Sequence, residues 1–361
     1  DTVRATVVRA DPPQFRLPDG RLLLGLPGVP LFPAEIVRVA PEAGVVLDAA
    51  RARPRTEIAY VAQGMTWEAL YQVILLGGRA QISGTATVTS QAMRSDSSEV
   101  QLVAGSIQRT RAKSAVAEDE SEVMAIDGVM ARGARAASFT ATEEAVGETH
   151  VYQLPGRITI EPNVPVTTAL FPRSSAPVTQ ELIVPGIVPL YGLMGQRPEP
   201  YRAPVQVWYT IKRAAKTSFG ERPLPGGTVQ LYQADSTGRV QLIGEAATSH
   251  TAPGRDLRLQ SGNAFDITAE RVQTEYNQEP VPPARRGLPA RLRVTAAYRV
   301  TITNAKTTAV SVDIREAHYG DWKIVESSSP AEKLSSTESR FRVQVPAQGE
   351  ATLTYTVQIE Q

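Results

Sequence analysis

Three histidines, His150, His250 and His318, are the neutral nitrogen ligands that this 361-residue chain offers, and cysteine is absent from it. That removes disulfides, thiolate metal sites and cysteine nucleophiles together. Each histidine is expected near a strand end, and the loops at one end of a β-sandwich can bring distant positions together. Converged, they could hold copper, zinc or iron, with Asp266 or Asp321 completing the set, in a redox site of the kind a superoxide-dismutase-type sandwich carries. No pair has the i,i+2 or i,i+4 spacing that sets two ligands on one element. Three unrelated loop or surface histidines are the plainer expectation.

The segment His318-Tyr319-Gly320-Asp321-Trp322 suggests a second chemistry, an indole beside a carboxylate on which a sugar could stack. A tryptophan after a Gly-Asp turn more often plugs the end of a sandwich core. Trp67 and Trp208, inside strand-like runs, are assigned to the core as well. Asp235-Ser236-Thr237-Gly238 lacks the alternating acidic ligands of a calcium loop and any following helix, and reads as a hairpin turn. Gly226-Gly227 leads into a strand and leaves no helix N-terminus for a phosphate. Ser327-Ser328-Ser329 has no Gly-x-Ser-x-Gly elbow around it, and with three histidines a catalytic triad would be an accident of folding. The carboxylate pairs Asp119-Glu120 and Glu143-Glu144 fall in a segment expected to be flexible, where nothing would position them for catalysis.

Any element that positions these residues is expected to be a strand. Ala80 to Thr89 alternates Ile82, Gly84, Ala86 and Val88 against polar neighbours, and Val205, Val207, Tyr209 and Ile211 share one face of another run. Met65, Trp67, Ala69, Tyr71, Val73 and Leu75 fall on one strand face, so the apolar run that ends at Gly77-Gly78 reads as strand rather than helix. Thr228 to Tyr232 and Arg239 to Ile243 flank the polar loop as a hairpin. Leu292 to Thr303, Ala309 to Arg315, Arg340 to Val345 and Ala351 to Ile359 make four strands of an immunoglobulin-like sandwich. Prolines between 185 and 204 and between 278 and 289 should stop sheets there. Residues 111–148, rich in Ala, Glu, Ser and Arg without period-two patterning, read as a flexible insertion with one short helix near Glu120 to Ala131. The expected division is an N-terminal β domain over 1–110, the insertion, a central β domain over 149–285, and the C-terminal sandwich over 286–361.

With 38 basic and 37 acidic residues the net charge is +1, which argues against a nucleic-acid partner. Only six of the basic residues are lysines, and the arginines are scattered rather than clustered. No run reaches the ~18 apolar residues of a membrane-spanning helix. The chain opens on Asp1 rather than Met, from which a processed N-terminus is expected.

Gly262-Asn263-Ala264-Phe265-Asp266-Ile267 with Glu270-Arg271-Val272-Gln273-Thr274 resembles a signature of the bacterial domain-of-unknown-function family found in mucoidy-inhibitor-A-like proteins. Further resemblances follow in order: Pro223 to Val229 with Leu231-Tyr232, Ile243-Gly244-Glu245, His250-Thr251, Tyr298 to Asn304, and Gly320-Asp321-Trp322. Gly64-Met65-Thr66-Trp67 with Tyr71, and Leu102 to Gly105, resemble earlier blocks, so about residues 57–361 are covered. Where Pro would follow His-Thr directly, this chain has His250-Thr251-Ala252-Pro253. The resemblance implies a mostly β, exported protein of the periplasm or cell surface, and it brings no catalytic residues or cofactor. The leading expectation is therefore a non-catalytic structural or interaction protein. It would bind other envelope proteins within a surface-layer or outer-membrane assembly, with no cofactor and with oligomerisation open. The alternatives are a copper- or iron-dependent redox enzyme using the three histidines, and a glycan-binding module.

Overall fold

In the computed structural model the described residues are 4–9, 12–25, 57–105, 141–147, 149–186, 200–214, 217, 219–282 and 291–360. Their regular structure consists of 23 β-strands, and no helix among them is long and apolar enough to cross a membrane. The protein is all-β. The expected helix near 120–131 lies outside the described residues.

The chain divides into two compact units, Asp1–Ile58 and Ala59–Gln361. The first holds an antiparallel meander of Thr6–Arg9, Gln14–Arg16 and Leu22–Leu24. Its second turn closes through Leu17 N–H donating to the Arg21 carbonyl, with Gly20 in the left-handed region at φ +85°.

The larger unit is built on two hydrophobic clusters. In the first, Met65–Leu76 and Arg79–Ser90 form a hairpin with the expected alternation, Tyr71, Val73, Ala80, Ile82 and Val88 being buried. Trp67 packs partly buried against the same cluster. Gly227–Ala234 runs parallel to Met65–Leu76 and hairpins back as Val240–Thr248, which bounds the sheet. These strands join residues that the sequence had placed on either side of 110.

The second cluster lies between a five-stranded sheet and the far end of the large one. The five strands run in the order Tyr201–Ala203, Ile267–Val281, Arg291–Asn304, Gly349–Glu360 and Asp321–Ser327. Opposite them Val310–Ala317 and Glu338–Val345 contribute Val312, Ile314, Phe341, Val343 and Val345. The strands on either side of the expected 285/286 boundary pair along fourteen positions, Ile267 to Val281 against Arg291 to Asn304.

One 19-residue strand, Val166–Val184, joins the two cores. Residues 166–177 pair antiparallel with Arg79–Ser90, and 178–183 pair antiparallel with Gln206–Ile211. Residues 182–184 pair parallel with Val310–Ala317. Leu170, Phe171 and Val178 thus belong to the first cluster, and Leu182 and Val184 to the second.

Two expectations are corrected. Proline does not end the sheet at 278: Ile267–Val281 runs through Pro280, opposite Leu292. Tyr201–Ala203 covers that strand's other edge only at 269–271, so the edge beside Pro280 asks no donor of it. The tail of the 111–148 insertion is also ordered, because Thr142–Val146 pairs with Thr149–Gln153.

Candidate functional site

The three histidines occupy unrelated settings. His150, on Thr149–Gln153, places Nδ1 2.7 Å from Glu143 Oε1 across the hairpin. Glu143, expected to be solvated and unpositioned, is therefore held in place. His250 follows Val240–Thr248, and its Nδ1 accepts the Gly226 N–H at 3.0 Å. His318 is buried behind Val310–Ala317, with Nε2 2.8 Å from Ser339 Oγ and its ring 4.2 Å from that of Trp322. Burial, then the nearby charges of Arg271 and Lys333, lowers its pKa to about 4. Asp266 and Asp321 are exposed, and among the described residues no three His, Cys, Asp or Glu side chains are grouped to hold a metal ion.

Trp322 is the core plug expected of it, buried with its N–H donated to the Ser336 carbonyl. Trp208 corrects its assignment. Tyr209 and Ile211 face the first core, so alternation turns Trp208 to the opposite, half-exposed face. There the Arg258 guanidinium lies 4.5 Å over the indole, and the indole N–H donates to Gln206 Oε1 at 3.0 Å. The Asp235 loop is the predicted turn, its carboxylate accepting from Thr237 N, Thr237 Oγ1 and Arg239 N.

Trp208 forms part of the wall of an open depression of about 400 Å³ at the edge of the second core. Gln206, Trp208 and Arg258 stand on one side; Arg315, Tyr319 and Glu338 on the other. Gly186 allows the chain to cross tightly here, since a Cβ would come within 2.5 Å of the Arg315 carbonyl. Arg258 is paired with Glu181 at 3.2 Å. Arg315 Nη1 stands 3.7 Å from Glu338, beyond hydrogen-bond range, and its buried Nε has no hydrogen-bond partner among the described residues. A buried donor left unmade costs about 1–3 kcal/mol. Beneath the depression, Glu316 turns inward and ion-pairs with Arg271 of the facing sheet, both nearly inaccessible.

A second polar cluster is structural. Arg213 is 1% exposed and its guanidinium donates to the carbonyls of Phe219, Arg222, Ala252 and Arg255. Tyr71 and Tyr152 donate their hydroxyls to the carbonyls of Pro225 and Pro223 on the same loop, and burial raises both phenol pKa values. The segments 223–229 and 250–251, singled out in the sequence, are held around this arginine. Pro223 and Pro225 there supply the carbonyls that these two hydroxyls bond.

Sequence reasoning missed Arg213, Arg258 and Arg315, which look like any of the scattered arginines. The signal for Trp208 was present, because it sits out of phase with Val207, Tyr209 and Ile211. No protein-family model matches the chain, and no curated protein matches it.

Proposed function

We propose that this chain is a non-catalytic structural or interaction protein of the bacterial cell envelope, docking through its sheet edges onto a larger surface or outer-membrane assembly. The observation that carries this reading is the strand Val240–Thr248. It closes one end of the large sheet and pairs with a strand on one side only among the described residues; at Gly244 it packs against Ser261 of Leu257–Asn263, which leaves the end at 240–242 as the open edge. Val240 and Leu242 on it are 50% and 54% exposed. An edge of this kind offers main-chain donors and acceptors to a partner strand, with apolar side chains to select it. Phe265, 96% exposed on the turn before Ile267–Val281, offers a second contact. The resemblance to the mucoidy-inhibitor-A-like family supports export, and the same reading takes the C-terminal sandwich as immunoglobulin-like.

A photo-crosslinking residue at position 242, in cells later fractionated for envelopes, tests the proposal. A discrete crosslink to an envelope protein is expected, together with co-fractionation in a large complex that Leu242→Lys disperses. Freely diffusing monomer without a crosslink would overturn it.

A further inference from the structure

We infer that the depression between Trp208 and Arg315 is a saccharide-binding site. Its volume of about 400 Å³ lies in the ~300–1,000 Å³ range of small-ligand sites. Its lining is that of a site for a ligand with an apolar ring face and a rim of hydroxyls. The Trp208 N–H is already donated to Gln206 and the Arg258 guanidinium lies over one face of the ring, so what the indole offers a ligand is the apolar surface left uncovered. Around it stand both donor and acceptor side chains: Arg258, Gln206, Thr337, Glu338 and Arg315. A hydroxyl, donor and acceptor at once, matches such a rim.

The spare hydrogen-bonding capacity is specific. Arg315 Nη1 stands too far from Glu338 to bond it, which leaves that end of the guanidinium able to donate to a ligand oxygen. Tyr319, 44% exposed, offers a further hydroxyl at the rim.

Charge and strand pairing narrow the class. Arg258 is matched by Glu181, Arg315 faces Glu338, and Glu316 is cancelled by Arg271, so no cationic surplus selects a phosphate. Val166–Val184, Gln206–Ile211, Val310–Ala317 and Glu338–Val345 are each paired on both sides around the depression. A peptide could not add as a strand to any of these four.

The test titrates the full chain with chitotetraose, cellotetraose and oligogalacturonate, read by tryptophan fluorescence and saturation-transfer NMR, with acetate as the plain anion. Saturable fluorescence change and transfer to ring protons are expected from at least one saccharide. Trp208→Ala should abolish the response, and Arg315→Met should weaken binding about tenfold or more. Trp67→Phe should leave it intact. Should Trp208→Ala unfold, Arg315→Met and the NMR signal of the unsubstituted chain carry the test. The inference is overturned if no saccharide receives saturation, if binding survives both substitutions, or if acetate alone reproduces the response. Because the depression is remote in sequence from position 242, its failure and that of the edge-docking proposal are separable by the crosslinking result.

Discussion

His318 shows at the scale of one residue how burial changes a side chain's role. Expected as a metal-ligand candidate, it is enclosed by Trp322 and Ser339, and the charges of Arg271 and Lys333 oppose its protonation. Its pKa falls to about 4, against about 6.5 in an unfolded chain. Between those values the unfolded chain binds more protons, so stability rises with pH through the window. It is complete above about pH 6.5 and lost progressively as pH falls toward 4. The ceiling is about 3 kcal/mol, with about 2 kcal/mol lost by pH 5. Urea unfolding at pH 7 and pH 5 should show that loss in the native chain and a much flatter dependence in His318→Gln. An unchanged slope would contradict the assignment. Carboxylates with lowered pKa values, such as Asp256 and Asp235, lose their contribution only at lower pH and leave this window to the imidazole.

At the scale of elements, the strands were legible because period-two burial is local. Arg79–Ser90 alternates buried and half-buried positions along its length, and the Asp235 turn closes the hairpin that its residues suggest. Which strands become neighbours was not legible. The parallel pairing of Gly227–Ala234 with Met65–Leu76 connects positions about 160 residues apart, and it explains a glycine that the sequence only flagged. A Cβ on Gly227 would lie 2.2 Å from the Ala69 carbonyl oxygen, whereas one on Gly78 would meet nothing within 4 Å. Gly227→Ala should therefore destabilise by about 3 kcal/mol or more by overpacking against backbone, and Gly78→Ala by under about 0.5 kcal/mol. Denaturant titration of both variants checks the pairing; equal effects would refute it. Pro280 teaches the same lesson, since a proline ends a strand only where a neighbour needs its missing N–H.

At the scale of the molecule, the shared strand Val166–Val184 makes the two cores mechanically one. Its residues enter the first cluster at Phe171 and Val178 and the second at Leu182 and Val184, with an unbroken ladder to Gln206–Ile211 over 178–183 between them. Loss of the second core should therefore be felt in the first. Phe341→Ala, which empties a fully buried site in the second cluster, should cost about 3–5 kcal/mol. Hydrogen exchange should then show Arg79–Ser90 losing protection together with Gly349–Glu360. Undiminished protection of Arg79–Ser90 would mean that the cores open independently.

What the amino-acid order determined alone was the all-β class, most strand positions and the turn chemistry, because alternation, proline and glycine act over a few residues. The tertiary structure decided which arginines are buried, that Trp208 faces outward beside Arg258, and that the histidines keep separate company. Those outcomes depend on strands that meet across a hundred residues or more. Ladder pairing between such strands is set by the joint burial of both cores, and no local pattern carries that information.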